Sequence, residues 1–154
     1  MYERGRKERV LGSSVNERRG RRLVPRRFAV RPRLRPMHLD AFRDHCLALP
    51  GAEETLPFGP DTLVFKVGVM MLALMGLERL PPSVNLKCDP ERAVELREQY
   101  NAITPGWHMN KVHWNTVGLQ ADVPDDVIRE LADHSYALVR ASLPKRIRAE
   151  LDAQ

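Results

Sequence analysis

The chain has 154 residues, 43% of them apolar, with 12 Pro, 2 Cys and a net charge of +5. That is enough for one compact domain with or without a tail. No apolar run nears the roughly 18 residues of a membrane span, and two cysteines make no disulfide framework, so a soluble protein of a reducing compartment, by default the cytoplasm, is expected. The charge is uneven. Residues 1–36 hold 12 Arg and 1 Lys against 3 Glu, a net of +10, leaving 12 basic and 17 acidic side chains, a net of −5, for residues 37–154.

Residues 1–36 interleave Arg pairs and Pro with apolar stretches no longer than Phe28-Ala29-Val30, so this Arg-rich tail is expected to be disordered on its own. It lacks the apolar stretch of about 7–15 residues that a secretory signal carries. Three readings stand: an upstream start codon with the natural start at Met37, a basic arm that touches nucleic acid, and an organelle transit segment.

From Met37 the pattern is orderly. Leu39, Phe42, Cys46, Leu47 and Leu49 recur at helical spacing until Pro50-Gly51, which predicts a helix over 38–48. Strands follow at 55–58 and at 62–67, where Leu63, Phe65 and Val67 alternate with Thr62, Val64 and Lys66. After Gly68, residues 69–75 are apolar at every position, which suits a central strand covered on both faces. Residues 83–88 alternate again. Asp89-Pro90 reads as an N-cap with proline at the first helical position, opening a helix through Tyr100 that Thr104-Pro105-Gly106 breaks. Residues 113–119 predict another strand, and Pro124 opens a last helix with Val127, Ile128, Leu131, Leu138 and Val139 on its stripe. The order α-β-β-β-β-α-β-α implies one small α+β domain on a mostly antiparallel sheet.

The three helical segments 38–54, 89–101 and 122–141 carry −3, −2 and −3, whereas 55–88, 102–121 and 142–154 each carry +1. If Leu63, Phe65, Leu86 and Cys88 face the helices, period two sends Lys66, Asn85 and Lys87 to the other face, where Trp114 and Thr116 could join them. Such a face offers charge for phosphate and a ring for a base. The alternative is that Trp114 is core and the lysines merely solvate the sheet. Residues 107–115 gather two Trp, two His, two Asn and a Lys, more than a plain connection needs.

Familiar chemistry finds little support. His108, His113, His134 and Cys88 lack the spacing of a metal site, so no metal is expected. Cys88 beside a helix N-terminus could favour a thiolate, but Asp89 opposes it. The carboxylate pairs Glu53-Glu54 and Asp125-Asp126 are read as structural. No phosphate loop, dinucleotide motif or nucleophile elbow occurs, so neither an enzyme nor a cofactor is expected.

The ordered segments Leu49-Pro50-Gly51-Ala52-Glu53-Glu54, Phe58-Gly59, Phe65-Lys66-Val67, Val84-Asn85-Leu86-Lys87-Cys88, Thr104-Pro105-Gly106, His108-Met109-Asn110-Lys111, His113-Trp114 and Asp133-His134-Ser135-Tyr136 resemble the MmcQ/YjbR family. The resemblance covers residues 37–148, which leaves 149–154 as the C-terminal end. It implies a single α+β domain similar to frataxin-like and secretion-chaperone-like folds, and DNA binding through a "double wing" of two β-hairpins. The chain departs from the pattern in its N-terminal tail and in the proline-bearing loop 76–82, neither of which is expected to touch the polar cluster.

The resulting expectation is a nucleic-acid-binding domain. Lys66, Lys87 and Lys111 would contact phosphate, Trp114 or His108 would stack on sugar or base, and Asn85 and Asn110 would hydrogen-bond, with His113 in the same cluster. Two alternatives are a small-metabolite or phosphate pocket built from the same residues and a chaperone-like adaptor that dimerises through strand 69–75. A monomer and a homodimer both fit, and no membrane partner is expected.

Overall fold

A computed structural model describes residues 37–154; the three readings of residues 1–36 lie outside the described residues. Helix α1 (Leu39–Leu47) leads into β1 (Ala52–Thr55), β2 (Thr62–Val67), β3 (Met70–Gly76) and β4 (Ser83–Lys87). Then come α2 (Pro90–Gln99), β5 (Ile103–Pro105), β6 (Trp114–Gly118), α3 (Asp125–Ser142) and α4 (Lys145–Asp152). The α+β class and the antiparallel sheet are as the sequence implies, with two elements added: the short strand β5 and the helix α4. Strand β1 also begins three residues earlier than its expected 55–58.

All six strands pair antiparallel in the order β1-β2-β3-β4-β6-β5. Gly68, at φ +63°, takes the first position of the two-residue turn between β2 and β3, where a side chain would be strained. The helices share one face of the sheet. Phe42 and Cys46 of α1, Ala93 and Leu96 of α2, Ile128, Leu131 and Val139 of α3 and Leu151 of α4 form one core with Leu63, Phe65, Met75, Leu86 and Val117. Phe42 meets Phe65 edge-on, with ring centroids 6.2 Å apart. Val64 and Trp114 are buried yet stand apart from that cluster, because they project from the opposite face.

The apolar strand β3 carries a bulge. Phe65 pairs with Ala73 and Lys66 with Met71, which leaves Leu72 unmatched. The β3–β4 ladder likewise ends at Ala73 and Leu86. Where Leu72 and Lys87 would pair next, the hydroxyl of Ser135, fully buried on α3, donates to the Leu72 carbonyl at 2.6 Å and accepts the Lys87 N–H at 3.1 Å. Helix α3 is thereby fixed to the sheet by a polar bridge as well as by its apolar stripe. Only one face of β3 meets helices; the other, with Met71 and Leu74, is partly open. Among the described residues no helix is long and apolar enough to cross a membrane.

Candidate functional site

The face away from the helices is walled into a cleft of about 570 Å³. Thr62 of β2, Met71 and Leu74 of β3, and Ser83 and Asn85 of β4 line its floor. Three loops raise the walls: Phe58 and Asp61 from the β1–β2 connection, Glu78 and Arg79 from β3–β4, and Trp107, His108 and Met109 from β5–β6. This volume falls in the range of about 300–1,000 Å³ typical of small-molecule sites.

A closed ring of hydrogen bonds holds the third wall to the sheet. The Trp107 N–H donates to Thr116 Oγ1 at 2.9 Å, that hydroxyl donates to Asn85 Oδ1 at 2.6 Å, and Asn85 Nδ2 returns to the Trp107 carbonyl at 3.2 Å. Thr116 and Asn85 can do this because they are paired across β4 and β6 and so point the same way. Lower in the same loop, Lys111 Nζ donates to the Gly106 carbonyl at 2.9 Å, and Asn110 Oδ1 accepts the N–H groups of Val112 and His113. Arg97 of α2 adds bonds to the Lys111 carbonyl and, at 2.7 Å, to Asn115 Oδ1. His108 sits at φ +59°, a conformation costly for a residue with a Cβ, and its ring lies against Trp107 at 3.9 Å between centroids. From the facing wall, the Arg79 guanidinium covers the Trp107 ring at 4.0 Å from its centroid.

Of the eight residues expected to form the site, only Asn85 and His108 line the cleft. Lys66 and Lys87 do occupy the open face, but Lys66 is half-buried in register with Glu53, and Lys87 Nζ lies 6.0 Å from the centre of the Trp114 ring. Asn110 and Lys111 spend their polar groups on their own loop. His113 is exposed beside the chain's return to the sheet, where its carbonyl accepts the Cys88 N–H. Trp114 corrects the expectation most. It is on the predicted face yet only 7% exposed, covered where Gly106 closes on it, and its ring is not presented for stacking. The loop 76–82 also corrects an expectation, because Arg79 brings it directly onto the polar cluster. Sequence reading passed over Arg79, Met71, Leu74 and Ser83; two exposed aromatics in polar loops, Phe58 and Trp107, were the available signal.

The thiols are poor nucleophiles. Burial pushes Cys46 up to about 12 and raises Cys88 as well, so the helix terminus does not make Cys88 a thiolate. His134 is held below its usual value, by burial first and by Arg92 second; its Nε2 accepts the Asp89 N–H at 3.2 Å. Among the described residues no three His, Cys, Asp or Glu side chains gather as metal ligands.

The sequence profile of the YjbR family matches residues 47–138, more than half of the chain. The chain belongs to the YjbR family. The uncharacterised protein YjbR of Escherichia coli K12 is 35% identical over 112 residues, 73% of this chain and 95% of that protein. YbdF of Escherichia coli O157:H7, also uncharacterised, is 39% identical over 100 residues, covering 65% of this chain and 82% of its own length. A crystal structure of a Deinococcus radiodurans protein with a DUF419 domain superposes with a TM-score of 0.70 at 43% identity, covering 74% of this chain and 87% of that one. Every residue lining the cleft lies inside the YjbR match, whereas α4 lies beyond it.

Proposed function

We propose that this YjbR domain binds a small organic molecule in the cleft on its open sheet face. The observation that carries this reading is the combination of a 570 Å³ cleft, exposed aromatics on two of its walls, and a floor that mixes Met71 and Leu74 with Ser83 and Asn85. Phe58 and Trp107 are 64% and 53% exposed, while Ser83 and Asn85 are each 9% exposed. Apolar walls with a few placed polar groups are the usual make-up of ligand sites. The charge balance supports a small ligand over a duplex, since residues 37–154 carry a net −5 and Arg43, Arg92 and Arg140 are engaged by Glu54, Glu130 and Asp152. The test is a fragment screen by ligand-observed NMR on the wild type and on Leu74→Trp, which fills the floor. Hits should vanish in the filled variant while its melting temperature holds. Hits retained by both proteins would place binding elsewhere.

Nucleic-acid binding is the second reading, supported by the +10 of residues 1–36 and by the double-wing character that the family resemblance implies. On this reading the Arg-rich segment supplies most of the affinity, through counterion release and with little base selectivity. Replacing Arg18, Arg19, Arg21 and Arg22 with Gln in the full chain should then weaken DNA binding and flatten its salt dependence. Unchanged affinity would count against it.

A further inference from the structure

The proposed cleft already contains one cation on an aromatic face. The Arg79 guanidinium lies 4.0 Å from the centre of the Trp107 ring, well within the roughly 6 Å over which a ring quadrupole attracts positive charge. Resting on that small-molecule reading, we propose that the cleft selects an organic cation, an ammonium carried on an apolar body, and that Arg79 occupies the cation seat when the site is free.

Three features of the lining point the same way. Asp61 and Glu78 outnumber Arg79, so the wall has a net formal charge of −1, and the lysines of the open face are not among the lining residues. The floor supplies acceptors. Ser83 is 9% exposed and its hydroxyl makes no hydrogen bond among the described residues, and Asn85 Oδ1 keeps a lone pair beyond the one that takes the Thr116 hydroxyl. Met71, Leu74 and Met109 offer apolar surface to a hydrocarbon body. An anion of the same size would meet two carboxylates and a single guanidinium that must leave Trp107 to reach it.

A matched trio tests this on the full chain at pH 7: 2-phenylethylammonium, 2-phenylethanol and phenylacetate, titrated while following the Trp107 indole N–H by NMR. The cation should bind about three- to tenfold more tightly than the anion, because Asp61 and Glu78 attract the one and repel the other. Arg79→Ala should tighten the cation a further few-fold by vacating the ring, whereas recognition of an anion would weaken. The double variant Asp61→Asn, Glu78→Gln should erase the preference. Phenylacetate binding most tightly, or Arg79→Ala weakening the cation, overturns the proposal. Equal binding of all three also overturns it while leaving the small-molecule reading in place; absence of any response at Trp107 overturns it too, and the fragment screen then decides the small-molecule reading on its own.

Discussion

Replacing Thr116 with Val exchanges a hydroxyl for a methyl of nearly the same size and cuts the hydrogen-bond ring at two places. The Trp107 N–H loses its acceptor at 2.9 Å and Asn85 Oδ1 loses its donor at 2.6 Å. A buried polar group left unpaired costs about 1–3 kcal/mol. Asn85 is nine-tenths buried and should bear most of that, whereas the Trp107 amide stands at the rim and can reach water once the loop lifts. The sum is about 2–4 kcal/mol, or roughly 8–16 °C in melting temperature at about 4 °C per kcal/mol for a domain of this size. Thr116→Ser is the control: it keeps the hydroxyl, forfeits one methyl, and should cost about 0.8 kcal/mol. Urea unfolding measures both, and the Trp107 indole resonance reports whether the wall has moved. If Thr116→Val matches Thr116→Ser in stability and leaves Trp107 unshifted, the ring does not hold the cleft wall.

Gly106→Ala should shift the same wall by another route, because a Cβ there would stand 2.7 Å from Trp114 Cβ and 2.9 Å from the Trp114 carbonyl oxygen; a crystal structure with the 106–113 loop unmoved would refute this. Ser135→Ala strands the Leu72 carbonyl and the Lys87 N–H and should cost about 2–4 kcal/mol, with the Lys87 amide exchanging hydrogen faster; slow exchange at Lys87 would show that another group takes over. His134 is held below its ordinary 6.5 when folded, so below about pH 6.5 the unfolded chain takes up a proton that the folded one resists, and stability falls on acidification. Glu54 and Glu130, lowered by Arg43 and Arg92 from a usual 4.5, contribute their own loss only near and below that value. Denaturant titrations between pH 5 and 7.5 should therefore show a slope that His134→Gln reduces; an unchanged slope would assign it to other groups.

The sequence was most informative where local chemistry decides structure. Asp89 caps α2 by accepting the Arg92 N–H, and alternation in 62–67 and 83–88 sorts the residues of β2 and β4 between the two faces. It was least informative where distant segments meet. Thr104-Pro105-Gly106 reads as a break because Pro and Gly end helices, yet its first two residues pair with Thr116 and Asn115 at the sheet's edge. Helix α4 has only Ile147, Ala149 and Leu151 among charged residues, too little pattern to announce a helix. Period two placed Trp114 on the correct face, but the close approach of Gly106 to it follows from the pairing of β5 with β6, which alternation does not reveal. Likewise Arg79 and Trp107 meet only because β4 and β6 are neighbours, so nothing near either residue marks the pair.

The strand order also governs how this chain meets copies of itself. Val69 to Met75 has the composition of a self-associating segment, apolar and uncharged, but β3 lies inside the sheet, with β2 on one side and β4 on the other from Ala73 to Met75, and the Leu72 carbonyl beyond that ladder is taken by Ser135. The strands left at the margins are poor templates. β1 has four residues and carries Glu53 and Glu54, and β5 has three and ends in Pro105, which has no N–H to donate. Strand addition between molecules is thus blocked at both margins by charge, brevity and proline. Aggregation through 69–75 requires β3 to separate from β2 or β4, so its rate should track opening of the central sheet, and variants that loosen the Ser135 bridge should aggregate sooner than variants that disturb only the cleft walls.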